Sequence, residues 1–286
     1  MIALLTDSTS DLPFKQAEQL GVQVVPLSVK MQGKTLQDWR EVDPDAVYDH
    51  QKAGGTVATS PASISSFVAT YKQLLETHEQ LVSIHISAQL SDTVKHARRA
   101  AEELGATDRI LVIDSGLASI PLTEAVLVAQ QVIQAGGDFA RVNAAVRAVR
   151  QQGQAEFTVP SLEYLRRGGR ISRTQELVGN LMNLRPVLTF QQGALHPVRR
   201  VKPEVALQDI IERLEHQFGN TPVSVAVAHA GRDPVKLNVM RQAIGRSSLK
   251  VHRGRFQLIG PVIGAHVGPG MYGVSAAPVD IYKDSG

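Results

Sequence analysis

Leu81-Val82-Ser83-Ile84-His85-Ile86 is followed by the polar loop Ser87-Ala88-Gln89-Leu90-Ser91-Asp92-Thr93, and later by Ile110-Leu111-Val112-Ile113 with Asp114-Ser115 behind it. Each short apolar run ends in turn residues, and residues 91–104 and 118–134 carry apolar side chains at helical spacing, so the order is strand, helix, strand, helix. That alternation predicts a largely parallel sheet with helices on both faces. Upstream, residues 2–5 read as a buried strand ending in Thr6-Asp7-Ser8-Thr9-Ser10-Asp11, with Pro13 opening a helix to residue 20. Residues 22–29 are apolar and β-branched, Gln32-Gly33-Lys34 forms a hairpin turn, and helices are expected at 43–52 and from Ser63 to about residue 76. Downstream, a helix at about 139–151 leads to Phe157-Thr158-Val159, read as the strand that closes this first domain.

The remainder has a different grain. Residues 184–189 and 194–201 read as a hairpin around Gln191-Gln192-Gly193, 203–218 as an amphipathic helix, 223–229 as a strand, 234–244 as a helix and 249–252 as a strand. A chain of 286 residues exceeds the size one core usually serves. The expectation is an α/β protein of two domains: 1–159, three-layered α/β/α, and 160–286, smaller and mixed.

Composition narrows the function classes. A net charge of +3 with 5% aromatic residues does not make a nucleic-acid platform. There is no cysteine, hence neither disulfide nor thiolate nucleophile. The nine histidines form no metal-ligand spacing, and neither a P-loop nor a nucleophile elbow is present. No metal and no cofactor are expected. No run of 18 apolar residues occurs, and Met1-Ile2-Ala3-Leu4-Leu5-Thr6-Asp7 lacks the plan of an export signal, so a cytoplasmic protein without a transmembrane segment is expected.

In open parallel sheets the ligand crevice lies beyond the carboxyl ends of the strands. The loops there are rich in hydroxyls: Ser8, Thr9 and Ser10, then Thr59, Ser60 and Ser63, then Ser87, Ser91 and Thr93, then Ser115. Such residues also cap helices, which is a sufficient account for Ser10, Asp11 and Ser63. The apolar run Ile259-Gly260-Pro261-Val262-Ile263-Gly264-Ala265-His266-Val267-Gly268-Pro269-Gly270-Met271-Tyr272-Gly273 places a single histidine among glycines. Gly268 to Gly273 fits G-x-G-x-x-G, but too few residues follow for the required helix and acidic partner. The run then reads either as a strand, turn and strand with a core histidine or as a ligand-holding segment. Hydroxyls and one histidine without an evident base or metal suit capture of a carboxylate better than bond cleavage. In Pro160-Ser161-Leu162-Glu163-Tyr164-Leu165-Arg166-Arg167-Gly168-Gly169-Arg170-Ile171-Ser172-Arg173, helix capping accounts for Arg166 and Arg167 but not for Arg170 and Arg173. With Arg199, Arg200 and Lys202 these either form a basic surface for phosphate or an acidic partner, or are a solvated face.

Taken together, the chain resembles the DegV family of bacterial fatty-acid-binding proteins over nearly its whole length. The likeness rests on Thr6-Asp7-Ser8, Thr59-Ser60, Ile86-Ser87 with Leu90-Ser91-x-Thr93, Asp114-Ser115, Leu162-Glu163-Tyr164-Leu165 with Gly168-Gly169-Arg170-Ile171, Arg185-Pro186-Val187-Leu188, Gly260 to Gly264, and His266-x-Gly268-x-Gly270. The resemblance implies a non-enzymatic carrier: two α/β domains enclosing one long-chain fatty acid, its carboxylate at the domain junction and its tail in the second domain. A separate ATP-dependent kinase would convert that carboxylate to an acyl phosphate for phospholipid synthesis. By motif, Thr59, Ser60, Ser91, His266 and Gly268 would hold the carboxylate, while Arg170, Arg173 and Lys202 would face the kinase or its phosphate. Two departures stand out. The family usually has Ser-Gly-Thr where this chain has Ser91-Asp92-Thr93, a carboxylate that would repel the head group unless it points outward, and Pro61 replaces the usual Gln after Thr59-Ser60. The competing readings are a hydrolase or transferase using His266 as general base on a hydroxyl such as Ser91, and a lipid-sensing regulatory protein.

Overall fold

A computed structural model describes residues 1–171 and 183–282. The chain opens with β1 (Ile2–Asp7), α1 (Phe14–Gln19), β2 (Val22–Val25), β3 (Ser28–Met31), β4 (Lys34–Gln37), α2 (Pro44–Lys52) and β5 (Ala58–Ser60). It continues through α3 (Ile64–Leu75), β6 (Gln80–His85), α4 (Thr93–Glu103), β7 (Ile110–Asp114), α5 (Ile120–Gln134) and α6 (Phe139–Gln152). β2, β1, β6 and β7 form a four-stranded sheet in that order, every pair parallel. Strand side chains alternate between faces, and here both faces are apolar. Leu4, Val82 and Ile84 point into a core with α5 and α6, whereas Ala3, Leu5 and Leu81 point into a core with Phe67 and Tyr71 of α3 and Ala97 and Ala100 of α4. The three expected layers follow from that double burial. β3 to β5 make a small antiparallel sheet beside it, in the order β4-β3-β5, with the turn at Gln32 and Gly33 where it was expected.

The second sheet has six strands: β8 (Gln154–Thr158), β9 (Arg185–Gln191), β10 (Ala194–Val201), β11 (Pro222–His229), β12 (Lys250–Leu258) and β13 (Tyr272–Pro278), in the order β10-β9-β8-β13-β11-β12. Only β11 and β12 run parallel. One face carries Phe157, Leu188, Ala226 and Ala228 and meets Leu165 of α7 (Glu163–Arg167) and Val267 of α10 (Pro261–Val267). The other carries Val187, Val225 and Val274 under Ile210 and Leu214 of α8 (Ala206–Phe218). Between β11 and β12 lies α9 (Pro234–Arg246).

Two expectations are corrected and one open alternative is decided. β8 does not close the parallel sheet but sits between β9 and β13, because strand partners are chosen by distant residues that a strand's own composition does not show. β12 is twice the expected length; as the edge strand it is mostly exposed from Lys250 to Gly254, so the apolar pattern that would mark it is missing. The glycine-rich run is not strand-turn-strand. Pro261 supplies the fixed φ of a first helical position, and α10 runs to Val267 before the chain turns into β13.

Gly264 lies inside α10, where glycine costs helix stability, and packing is the reason for it. A Cβ built there would lie 2.8 Å from the Tyr48 ring, and Tyr48 is fixed by its hydroxyl donating to the carbonyl of Ile259 (2.9 Å). Gly264→Ala is therefore expected to destabilise the fold by about 1–2 kcal/mol, the overpacking term exceeding the better helix propensity of alanine. Equilibrium urea unfolding measures this. A variant as stable as the parent would mean that the ring gives way freely.

Candidate ligand-binding site

The C-terminal part of α10 is the centre of the site, and buried contacts with the N-terminal half fix it. The Gly260 N–H donates to Asp11 Oδ1 (2.9 Å) and the Val262 N–H to Asp38 Oδ1 (3.1 Å). Ser119 Oγ donates to the other Asp11 oxygen (2.6 Å), and Gln51 Nε2 donates to the carbonyl of Ala265 (3.0 Å). Asp11 thus ties three segments together rather than capping the first helix as expected, and Ser10 instead accepts a weak bond from the Leu12 N–H (3.4 Å). Ser63 does cap α3, accepting from the Ser66 N–H at 3.0 Å. Both aspartates are fully buried, so desolvation favours their protonated forms. Burial raises Asp11 well above the ordinary carboxylate range and, aided by neighbouring Asp7, pushes Asp38 up to about 7.

So placed, His266 meets Thr59 of β5, with Nε2 2.8 Å from Oγ1. Its Nδ1 is buried without a hydrogen-bond partner among the described residues and lies against Gly168. Burial, with Arg170 adding to it, lowers the imidazole to about 4, so the ring is neutral at physiological pH. Thr59, Ser60, Ser91, Arg170 and His266 all line one cavity of about 830 Å³, counted to its opening into solvent. The rest of its wall is largely apolar, with Ile86, Leu90, Phe157, Leu165, Val267 and Met271 among its residues. Ser91 Oγ is 2.8 Å from Thr93 Oγ1 and accepts from the Thr93 N–H at 3.3 Å, leaving hydrogen-bonding capacity for a ligand. Asp92 is exposed at the start of α4 and makes no side-chain capping bond, so the additional carboxylate points outward.

The other expected site residues fall differently. Arg170 is partly buried, donates through Nε to the Leu90 carbonyl (3.1 Å) and also to the Gly168 carbonyl, and no carboxylate of the described residues pairs with it. It belongs to the cavity wall rather than to an outer basic surface. Gly268 does not line the cavity; it ends α10 at φ 76°, and a Cβ there would fall on the Tyr164 ring. Lys202 is exposed and Arg173 lies outside the described residues. Arg199 is neutralised by Glu156 at 2.6 Å and by Asp209, so the hairpin is less basic than its composition suggests.

One constellation was not anticipated. Ser83 Oγ is 2.6 Å from His85 Nε2, and His85 Nδ1 is 3.0 Å from Asp7 Oδ2, the connectivity of a catalytic triad. All three side chains are fully buried, and Ser83 Oγ faces the Tyr71 hydroxyl at 2.8 Å. No acyl carbonyl can reach that serine, and the line serves the core. His266, for its part, bonds Thr59 rather than Ser91, and among the described residues no acid orients it, so these residues do not form the expected general-base pair with Ser91. Among the described residues no group of three His, Asp or Glu is arranged to hold a metal, and no helix is long and apolar enough to cross a membrane.

The family model described as "Uncharacterised protein, DegV family" matches residues 1–279. The chain belongs to the DegV family. A DegV domain-containing protein of Deinococcus radiodurans is 34% identical over 283 residues, covering 97% of this chain and 99% of the relative. The solved structure "Fatty Acid Binding of a DegV family Protein from Thermus thermophilus" is also 34% identical, with a TM-score of 0.91 over 97% of this chain and 99% of that one. The structure described as DegV, a fatty acid binding protein from Bacillus subtilis, is 27% identical, with a TM-score of 0.86 over 97% of this chain and 99% of that one. The mixed α/β architecture, with its parallel sheet and separate mixed sheet, is therefore that of DegV structures.

Sequence reasoning about this DegV chain missed Asp38, Tyr48 and Gln51, because nothing local in 38–51 announces a partner more than two hundred residues away. The aspartates nevertheless have a measurable signature. With a folded-state pKa near 7 against 3.8, Asp38 keeps a proton that the unfolded chain gives up, so its contribution is complete below about pH 4 and is lost as pH rises through about 7. His266 has the opposite slope, losing stability as pH falls from 6.5 through about 4. The informative quantity is therefore a difference. Asp38→Asn, which keeps an oxygen for the Val262 N–H, is expected to gain stability relative to the parent between about pH 4 and 7, by up to a few kcal/mol, and to level off above. Urea unfolding across pH 4–8 tests this, and a constant difference would show that Asp38 is ionised throughout.

Proposed function

We propose that this DegV-family chain is a carrier for one long-chain fatty acid, with the carboxylate held by Thr59, Ser60, Ser91 and Arg170 and the tail lying in the apolar cavity. The observation that carries this reading is the combination in one enclosure of an arginine with no carboxylate partner among the described residues, hydroxyls that keep hydrogen-bonding capacity and a neutral histidine, with a largely apolar wall. An ionised carboxylate leaving water needs several donors. If Nε2–H of neutral His266 donates to Thr59 Oγ1, the threonine proton is left for the ligand. Each methylene of a tail of about 16 to 18 carbons contributes about 0.8 kcal/mol on burial, so the tail supplies most of the affinity. The fatty-acid binding described for the Thermus thermophilus and Bacillus subtilis relatives supports this reading. The carrier then presents its carboxylate to an ATP-dependent kinase for conversion to an acyl phosphate, with Arg173 and Lys202 as the kinase-facing cations.

Protein purified from a bacterial host is expected to release a stoichiometric fatty acid on denaturation, read by mass spectrometry. Ser91→Ala and Thr59→Val should each weaken fatty-acid binding by about 1.5–3 kcal/mol, the range for a hydrogen bond to a charged group, and Arg170→Ala by at least as much. Retention and exchange unchanged in all three variants would place the carboxylate elsewhere. Arg173→Ala with Lys202→Ala should leave lipid content intact while slowing acyl-phosphate formation in a salt-sensitive way. An unchanged rate at every salt concentration would mean the kinase docks through other residues.

A further inference from the structure

Pro121, Ala155 and Phe190 line two cavities at once. One is the 830 Å³ cavity described above; the other is a second space of about 380 Å³, also counted to its opening, that includes Glu124, Arg150 and Gln154 in its wall. Alanine has little side chain to interpose and proline a short ring, so the only long side chain common to both walls is that of Phe190. It is well supported. The ring lies 6.4 Å from that of Phe157 at 45°, packs against the core around α5 and α6, and stands opposite Leu195 of β10, which lines the larger cavity. The space beyond is chemically different. Glu124 is ion-paired with Arg255, and Gln154 Nε2 reaches Thr189 Oγ1, so a methylene chain entering it would displace solvent from polar groups.

We infer that Phe190 is the partition that ends the acyl chamber and thereby sets the longest tail this chain accepts, an inference that rests on the fatty-acid reading. A tail that reaches the phenyl ring gains nothing from further carbons, whereas every methylene short of it adds roughly fourfold in affinity. Phe190→Ala joins the two spaces and moves that limit outward. Phe190→Trp moves it inward.

The test compares the parent, Phe190→Ala and Phe190→Trp, purified from one host. Released fatty acids are profiled by mass spectrometry, and saturated acids of increasing length compete for each delipidated protein. The expected result is a shift of Phe190→Ala toward acids two or more carbons longer, by up to roughly tenfold in relative affinity, and a shift of Phe190→Trp toward shorter acids. Should the alanine variant fail to fold, judged by circular dichroism, the tryptophan variant decides alone. A parent that carries fatty acid, with the same length profile in every folded variant, overturns the partition and leaves the carrier intact. A parent that neither carries nor binds fatty acid overturns the carrier reading and this inference with it.

Discussion

Two carboxyl groups without access to water tie the start of α10 to the N-terminal half of the molecule. Asp11 and Asp38 come from the N-terminal half, yet their oxygens receive the Gly260 and Val262 N–H groups at the start of α10. The first turn of a helix has no internal partners for its N–H groups, so when it is buried they must be satisfied from outside. Everything downstream inherits that constraint. Once Val262 is fixed, helical geometry fixes His266 about one turn later, and Tyr48 and Gln51 hold the same helix along its length. The wall shared by both halves is thus positioned by hydrogen bonds, not by apolar packing alone.

The electrostatics of the cavity follow from the same burial. An imidazole lowered to about 4 beside Arg170 is the cheaper arrangement, since two cations in one apolar enclosure would repel each other and lack a counter-ion. Apart from Glu156, which is paired with Arg199, the described cavity wall offers one fixed positive charge and several neutral dipoles. That composition suits a single anionic group beside a largely apolar wall. The Ser83-His85-Asp7 line illustrates the converse, for it has the connectivity of catalysis and no route to solvent, which makes it a satisfied part of the core.

The alternation in 81–134 was sufficient for the parallel sheet, because each strand there is buried on both faces and each helix has one apolar side. Thr59, Ser60, Ser91 and His266 were legible through their family motifs and do line one cavity. Elsewhere the sequence pattern was silent for physical reasons. β8 belongs to whichever sheet offers it two free edges, and only the completed fold shows those edges. Gly264 resembled a turn residue but is a contact surface for Tyr48, and the two uses of glycine look alike in one dimension. Arg170 was grouped with surface arginines because its spacing beyond the helix says nothing of the direction in which its side chain turns, and that direction is toward Leu90 and the cavity.

The core of the first half is not drawn from one continuous segment. Ala277 near the end of β13 and Ile281 just beyond it pack in the same core as Leu4, Leu122 and Val146, across the division at 159–160 that the sequence suggested. On the ribosome, the parallel sheet and its helices emerge early but lack part of their core until residues 277–281 have been made. The early half must persist with an apolar gap on its surface while the second sheet forms. Truncation that removes residues 277–281 would therefore damage the part of the molecule that was synthesised first.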